Sequence, residues 1–200
     1  MILTEKKFRH IVKRIIKESL EEMNLYHGTR ADFKQFDIAY LSTGWGQQAY
    51  GYGFYLTDSF NTAKEYAVGG KVYTVEVPDK GYLTNRSVSM RDKQKIAYAL
   101  FKYYTEENED TRDSYPDEQT KRDFWEYEVK CILNSVDGSY VYGTVNSILG
   151  DDRETAEFLR RLGYIGLKIY QTELSDAGTT YVIFNQKDMK IIKKEDVSNG

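Results

Sequence analysis

Residues 50–67 read YGYGFYLTDSFNTAKEYA, and the order of rings and glycines in this stretch decides the fold. GFYLT (53–57) is typical of a strand, and SFNTAKEYA is typical of a helix capped by Asp58 or Ser59. Glycines between aromatic residues leave room for a planar ligand to approach the backbone. The stretch therefore predicts that Tyr55 and Tyr66 flank a flat heterocycle, and ordinary core packing of both rings is the alternative interpretation.

Composition limits the classes of protein to consider. The 200 residues are 40% hydrophobic and 30% charged, as expected for a soluble globular domain. The sequence has no apolar run of about 18 residues and no secretory signal. Its single cysteine excludes an internal disulfide, so we expect a protein of the reducing cytoplasm. A net charge of -3 argues against a broad basic surface for nucleic acid, and two histidines with one cysteine predict no metal site. Cys131, inside the apolar run VKCILN, is predicted to be a buried thiol.

Hydrophobic periodicity predicts one α+β domain. Residues 1–24 are predicted to form an amphipathic helix that packs on the domain, and residues 25–200 form the domain itself, with an exposed acidic insertion at about 105–120. Helices are predicted near 90–104, 120–134 and 152–162. Strands are predicted at 24–30 (breaking at Gly28), 71–78, 163–170, 180–185 and 189–194.

Three segments taken together resemble a known superfamily. LYHGT (25–29), the stretch at 50–67 and TYVIFNQKDMKII (180–192) resemble, in that order, the motifs of ADP-ribosyltransferases of the poly(ADP-ribose) polymerase and diphtheria-toxin-like branch. The sequences of these segments are also similar to those of ADP-ribosyltransferase domains of phage and mobile-element proteins. The resemblance implies a split β-sandwich with NAD bound in the cleft between two small sheets.

The resemblance also implies roles for particular residues. His27 would hydrogen-bond the adenosine ribose, the Gly28 backbone would hold the nicotinamide amide, and Tyr55 and Tyr66 would flank the nicotinamide ring. The catalytic residues implied are His27, Tyr55 and Thr180. The residues implied for cofactor binding are His27, Gly28, Thr29, Arg30, Gly53, Tyr55, Ala63 and Tyr66.

Two positions depart from the family pattern. Thr180 stands where many members carry a glutamate that binds the nicotinamide ribose, and Ala63 stands where relatives often carry a serine. A threonine hydroxyl can make the hydrogen bond but brings no charge. Three loop residues are alternatives for the missing acid, although solvated loop positions are the simpler interpretation of each: Glu173, Asp176 and Gln186.

The expected activity is mono-ADP-ribosylation, with NAD as substrate and a macromolecular acceptor that is protein rather than nucleic acid. The alternatives are a non-catalytic module that binds NAD or ADP-ribose, and a toxin that hydrolyses NAD. RNA 2′-phosphotransferases share the fold but need several basic residues around a phosphate, and only Arg30 is well placed. A phage-encoded protein of this kind would act in the host cytoplasm.

Overall fold

A computed structural model describes residues 21–41, 48–171 and 178–197. Most of the predicted N-terminal helix, residues 1–24, therefore lies outside the described residues. Its last residues, from Glu22 to Asn24, belong instead to the first strand, where they pair with the strand that ends at Pro78. No helix in these three ranges is long and apolar enough to cross a bilayer.

Within the described residues, seven strands form one hydrogen-bonded sheet in the order β4-β5-β6-β2-β1-β3-β7. All neighbours are antiparallel except β4 and β5. The mixture of this sheet with helices confirms the predicted α+β class. The strands are β1 (Glu22–Thr29), β2 (Phe54–Thr57), β3 (Lys71–Pro78), β4 (Tyr82–Thr84), β5 (Gly166–Tyr170), β6 (Thr179–Ile183) and β7 (Lys190–Asp196).

The sheet is almost divided between β1 and β2. β1 pairs with β3 along its full length, and β2 pairs with β6 at each of its residues. In contrast, β1 and β2 share the single registered pair Tyr26 and Thr57. The two halves that the resemblance implies are thus present, but they remain joined at one point rather than forming two separate sheets.

Helices cover one face of the sheet and a loop covers the other. The α-helices are α1 (Phe60–Ala67), α2 (Met90–Lys102), α3 (Glu118–Phe124), α4 (Cys131–Asn134), α5 (Gly138–Leu149) and α6 (Asp152–Arg161). Helices α2 to α6 bury the largest apolar cluster against β4, β5 and β6, and α1 packs on β1 and β3. Phe33, Phe36 and Ile38 cover the opposite face, over Leu25 and Tyr73.

Helix α5 has no counterpart among the predicted elements. Its sequence, GSYVYGTVNSIL, is rich in glycine, serine and β-branched residues, which have low helix propensity. Asp137 caps its first turn by accepting a hydrogen bond from the Tyr140 amide, and Gly150 ends it in the left-handed region. Burial of Val141, Tyr142 and Val145 stabilises a helix that propensity alone does not predict.

The acidic segment is only partly the exposed insertion that its composition predicts. A π-helical turn, Tyr103–Glu107, extends α2, and its Thr105 is buried. The Tyr115 ring packs against Tyr104 and Phe124, with centroids 5.8 and 4.9 Å away. Aromatic packing therefore fastens the middle of this segment to the helical layer.

Cys131 is exposed, so its predicted burial is wrong. It begins α4, and Val129 in the preceding turn and Ile132 in α4 point into the core. Successive residues of a helix lie about 100° apart, so Cys131 cannot share that face. Its thiol donates to the Tyr127 carbonyl at 3.7 Å.

Helix α1 is seated on β1 by direct backbone contact at Gly28. The strand runs through Gly28 to Thr29, so the predicted break at this glycine is wrong. A Cβ at Gly28 would lie 1.7 Å from the Ala63 carbonyl oxygen. Ser59 caps the helix by accepting from the Thr62 amide, and Ala63 and Ala67 are buried beneath it. The close packing of α1 on β1 therefore requires a glycine at position 28.

Replacing Gly28 with alanine should destabilise the protein by about 1–3 kcal/mol or more, because the new methyl group meets backbone atoms that cannot rotate away. Gly143→Ala is the matched control, since nothing lies within 4 Å of that helical position and alanine favours the helix by up to about 1 kcal/mol. Urea unfolding measures both. A Gly28→Ala protein as stable as the wild type would contradict the seating of α1.

Candidate active site

His27 links the two halves of the sheet beside their one registered pair. Its Nδ1 lies 2.8 Å from the Tyr55 carbonyl oxygen. A carbonyl only accepts, so Nδ1 carries the proton of this hydrogen bond. The neutral ring then offers Nε2 as an acceptor. The structure thus brings together two residues that the sequence assigns to the site, although the Tyr55 atom involved belongs to the backbone.

The surroundings of His27 favour the neutral ring. Phe36 and Phe33 pack against it, with ring centroids 5.2 and 6.2 Å away. Burial lowers the pKa of His27 below the ordinary value of 6.5, and the hydrogen bond to the Tyr55 carbonyl opposes this effect only in part. At neutral pH the ring is therefore an acceptor toward a ligand hydroxyl rather than a cation.

The Tyr55 ring is held by its own loop. Its hydroxyl donates to the Gly51 carbonyl and accepts from the Tyr50 amide, each at 2.9 Å. The Tyr50 ring stacks alongside at 6.5 Å between centroids. Burial raises the pKa of Tyr55, so the phenol stays protonated. Because both polar functions of the hydroxyl are used, Tyr55 offers a ligand its ring rather than its oxygen.

The glycines of the loop at residues 50–53, the glycine loop, allow close packing within the protein. Gly51 and Gly53 have φ values of 127° and 154°. A Cβ at Gly51 would lie 2.6 Å from Cζ of Tyr142, and one at Gly53 would lie 2.6 Å from the Ile183 carbonyl oxygen. The space beside both glycines is therefore filled by protein atoms. The assignment of Gly53 to cofactor binding stays a prediction.

The remaining predicted binding residues surround the contact between α1 and β1. Ala63 is buried, and its carbonyl group lies against Gly28. The Tyr66 ring is 67% exposed on the outer side of α1. Thr29 accepts from the Ala31 amide at 3.1 Å and so shapes the turn after β1, and Arg30 follows it at the surface.

Thr180 has a polar partner in place of a charge. It lies in β6 beside Thr57 of β2 and Ile169 of β5. The Gln171 side-chain amide donates to its hydroxyl oxygen at 3.0 Å. Because this hydrogen bond uses a lone pair of the oxygen, the Thr180 hydroxyl can still donate its own hydrogen. Sequence patterns do not single out Gln171, since its partner is contributed by the neighbouring strand.

Of the three alternatives for the missing acid, Gln186 is the one that falls within the described residues. Glu173 and Asp176 lie outside the described residues. Gln186 follows the other end of β6, since the strand from Thr180 to Ile183 alone spans about 10 Å. Asp58 begins the turn after β2, and its carboxylate accepts from the Thr179 amide at 2.7 Å. That acid therefore ties β2 to β6.

The structure contains two cavities near these residues, one beside Tyr52 and the other beside Phe36. One of about 280 Å³ is lined by Tyr52, Arg160, Arg161 and Asn185 among others. The second, of about 510 Å³, is lined in part by Phe36, the ring that contacts His27. Lysines and the Gln186 amide complete much of its wall. Concave space therefore lies beside Tyr52 and beside Phe36, and the described residues that line the two cavities do not include His27, Tyr55 or Thr180.

The pKa of His27 predicts how stability changes with pH. The unfolded chain, with the higher pKa, takes up this proton first, so stability falls as pH drops below about 6.5 and the loss levels off below the folded pKa. Each pKa unit of lowering corresponds to about 1.4 kcal/mol. His27→Gln removes this contribution and retains an amide donor for Tyr55. Its stability deficit in urea should therefore be smaller at pH 5 than at pH 7.5; equal deficits would contradict the lowered pKa of His27.

Comparisons with known proteins show what the chain is similar to as a whole. A family model described as ADP-ribosyltransferase in polyvalent proteins matches residues 21–199. No curated protein matches the chain. Among solved structures, the crystal structure of an anti-CRISPR protein aligns over 87% of this chain and 98% of its own, at 18% identity and a TM-score of 0.35. The family match spans the strands, the helices and the His27 junction, and the chain therefore belongs to the family of ADP-ribosyltransferase domains of polyvalent proteins.

Proposed function

We propose that this domain transfers ADP-ribose from NAD to a macromolecular acceptor and releases nicotinamide. The hydrogen bond from His27 to the Tyr55 carbonyl carries the proposal, because it leaves Nε2 as an acceptor next to Gly28 at the split in the sheet. NAD presents ribose hydroxyls that can donate to such an acceptor. Family membership supports the same substrate.

The roles of the residues follow from their chemistry. The neutral His27 accepts from a ribose hydroxyl, and the backbone at Gly28 holds the nicotinamide amide. The Tyr55 ring forms one wall of the nicotinamide site and the exposed Tyr66 ring closes over the other side. Thr29 and Arg30 lie at the adjoining turn, toward the ribose and diphosphate.

The reaction breaks the bond between the ribose C1 and the nicotinamide nitrogen. The bonding electrons leave with nicotinamide, and the ribose becomes oxocarbenium-like, as in glycoside cleavage. The acceptor nucleophile then bonds to C1 and loses its proton. Holding NAD and the acceptor in line supplies much of the rate, because positioning makes a bimolecular step effectively unimolecular.

The neutral pair of Thr180 and Gln171 limits the chemistry. The Thr180 hydroxyl can donate to an acceptor oxygen of the ribose, but it offers the developing cation a dipole instead of a full charge. This favours transfer of a single ADP-ribose, with an acceptor group that contributes to activation. Net negative charge on the domain favours a protein acceptor over nucleic acid, and the cytoplasm is the proposed location.

The same pair favours a second candidate function. A domain that binds NAD or ADP-ribose without turnover needs no charge at position 180. Hydrolysis of NAD, with water as acceptor, is the third outcome. Nicotinamide release and label transfer separate the three functions: both occur in a transferase, only release occurs in a hydrolase, and neither occurs in a binding module.

Incubation with adenine-labelled NAD and a cell extract should release nicotinamide and label a macromolecule.

Tyr66→Ala should weaken NAD binding two- to about tenfold, because it removes one aromatic contact. Tyr127→Ala is the matched control, since that tyrosine is 76% exposed on a different part of the surface. Calorimetry measures binding. Equal affinity of the two variants would remove Tyr66 from the site.

Restoring the acid of related enzymes should accelerate turnover. Thr180→Glu is expected to release nicotinamide about tenfold faster than Thr180→Gln, because the carboxylate attracts the developing positive charge and the amide of equal size does not. The comparison of glutamate with glutamine isolates charge from side-chain volume. Equal rates in two folded variants would place the nicotinamide ribose away from β6.

A further inference from the structure

The side chain of Tyr142 connects the glycine loop to the helical layer. Tyr142 lies in α5 and is 5% exposed. Its hydroxyl accepts from the Tyr52 amide at 3.1 Å and lies 3.1 Å from Oδ1 of Asp152, to which it donates. A ring contact with Phe184, 6.1 Å between centroids, fixes its plane. The residue is 90 positions away from the amide that it receives.

The ring of Tyr142 also limits how closely the loop approaches helix α5. The Gly51 Cα approaches so closely that a Cβ there would lie within 2.8 Å of three ring and hydroxyl atoms of Tyr142. The loop is therefore held at two consecutive residues, by contact at Gly51 and by a hydrogen bond at Tyr52. A phenylalanine at position 142 would keep the first restraint and lose the second.

The loop in turn determines where the Tyr55 ring lies. Gly51 supplies the carbonyl that receives the Tyr55 hydroxyl, and Tyr50 supplies the amide that donates to it. Displacement of residues 50–52 therefore moves both polar partners of Tyr55 together. A continuous series of contacts runs from Asp152 through Tyr142 and the loop to the Tyr55 ring.

We propose that Tyr142 is a positioning residue for the nicotinamide site, acting through the loop at 50–52 on the ring of Tyr55. The proposal rests on the proposed function in assigning Tyr55 to nicotinamide. Burial raises the pKa of Tyr142, so its hydroxyl stays protonated at neutral pH and keeps donating to Asp152 while it accepts from Tyr52. Tyr142 itself touches no reacting atom.

The helical layer contains a second tyrosine of the same kind that provides a matched control. Tyr164 is also buried, and its hydroxyl donates to Asp92 at 2.8 Å. Its hydroxyl makes no hydrogen bond to the glycine loop among the described residues. Tyr142→Phe and Tyr164→Phe thus each remove one buried hydroxyl that donates to an aspartate, and both keep the ring.

The test compares the two variants with the wild-type protein in three measurements. Urea unfolding reports the general cost of the lost hydroxyl, which should be similar in both variants. Amide hydrogen exchange should be about tenfold faster at Tyr52, and faster at Tyr50, in Tyr142→Phe alone. Calorimetric affinity for NAD should fall about three- to tenfold in Tyr142→Phe and should be unchanged in Tyr164→Phe.

The measurements also separate this inference from the proposed function. Unchanged exchange at Tyr52 in Tyr142→Phe overturns the inference, and this result requires no ligand. Faster exchange with unchanged NAD affinity also overturns it, since the loop would then not set the nicotinamide site. A wild-type protein that shows protected loop amides but binds no NAD would refute the proposed function, and with it the assignment of the Tyr142 restraint to nicotinamide.

Discussion

The arrangement of the site depends on one constraint, the hydrogen bond between the His27 imidazole and the Tyr55 carbonyl. β1 and β2 share one registered pair and then separate, so their facing backbone groups lose the regular ladder. The imidazole spans the gap at 2.8 Å. Because it must donate there, its other nitrogen can only accept while the ring is neutral. One contact therefore sets the spacing of the sheet halves and the polarity offered to a ligand.

Close backbone packing provides the rigidity around that bond. Gly28 admits α1 to the surface of β1, Gly53 admits β6, and Gly51 rests on the Tyr142 ring. At each position the neighbouring group occupies the volume of a Cβ. A site held in this way loses little conformational freedom on binding, so in the proposed reaction positioning would contribute strongly to the rate. In the same proposal, positive charge developing at the ribose would meet the dipoles of Thr180 and Gln171.

Much of the fold was predictable because it depends on local patterns. Strand β3 has the predicted limits, and α1 begins after Ser59, one of the two caps named from sequence. The errors arise where neighbours in space overrule local preference. Gly28 continues a strand because α1 needs the space, Cys131 is exposed because Val129 and Ile132 take the inward positions, and α5 forms from weak helix formers because its apolar residues are buried.

The sequence by itself determined the α+β class, because strand alternation and helix capping are properties of short segments. Its resemblance to a known superfamily, carried by three short motifs, implied His27, Gly28, Tyr55 and Tyr66 as the residues to consider. Only the tertiary structure decided which His27 nitrogen carries the proton, that Gln171 supports Thr180, and that Tyr142 and Asp152 hold the glycine loop. In each of these cases the deciding atoms belong to elements that are distant in sequence or paired across strands. Their distances exist only after the sheet halves and the helical layer have packed together.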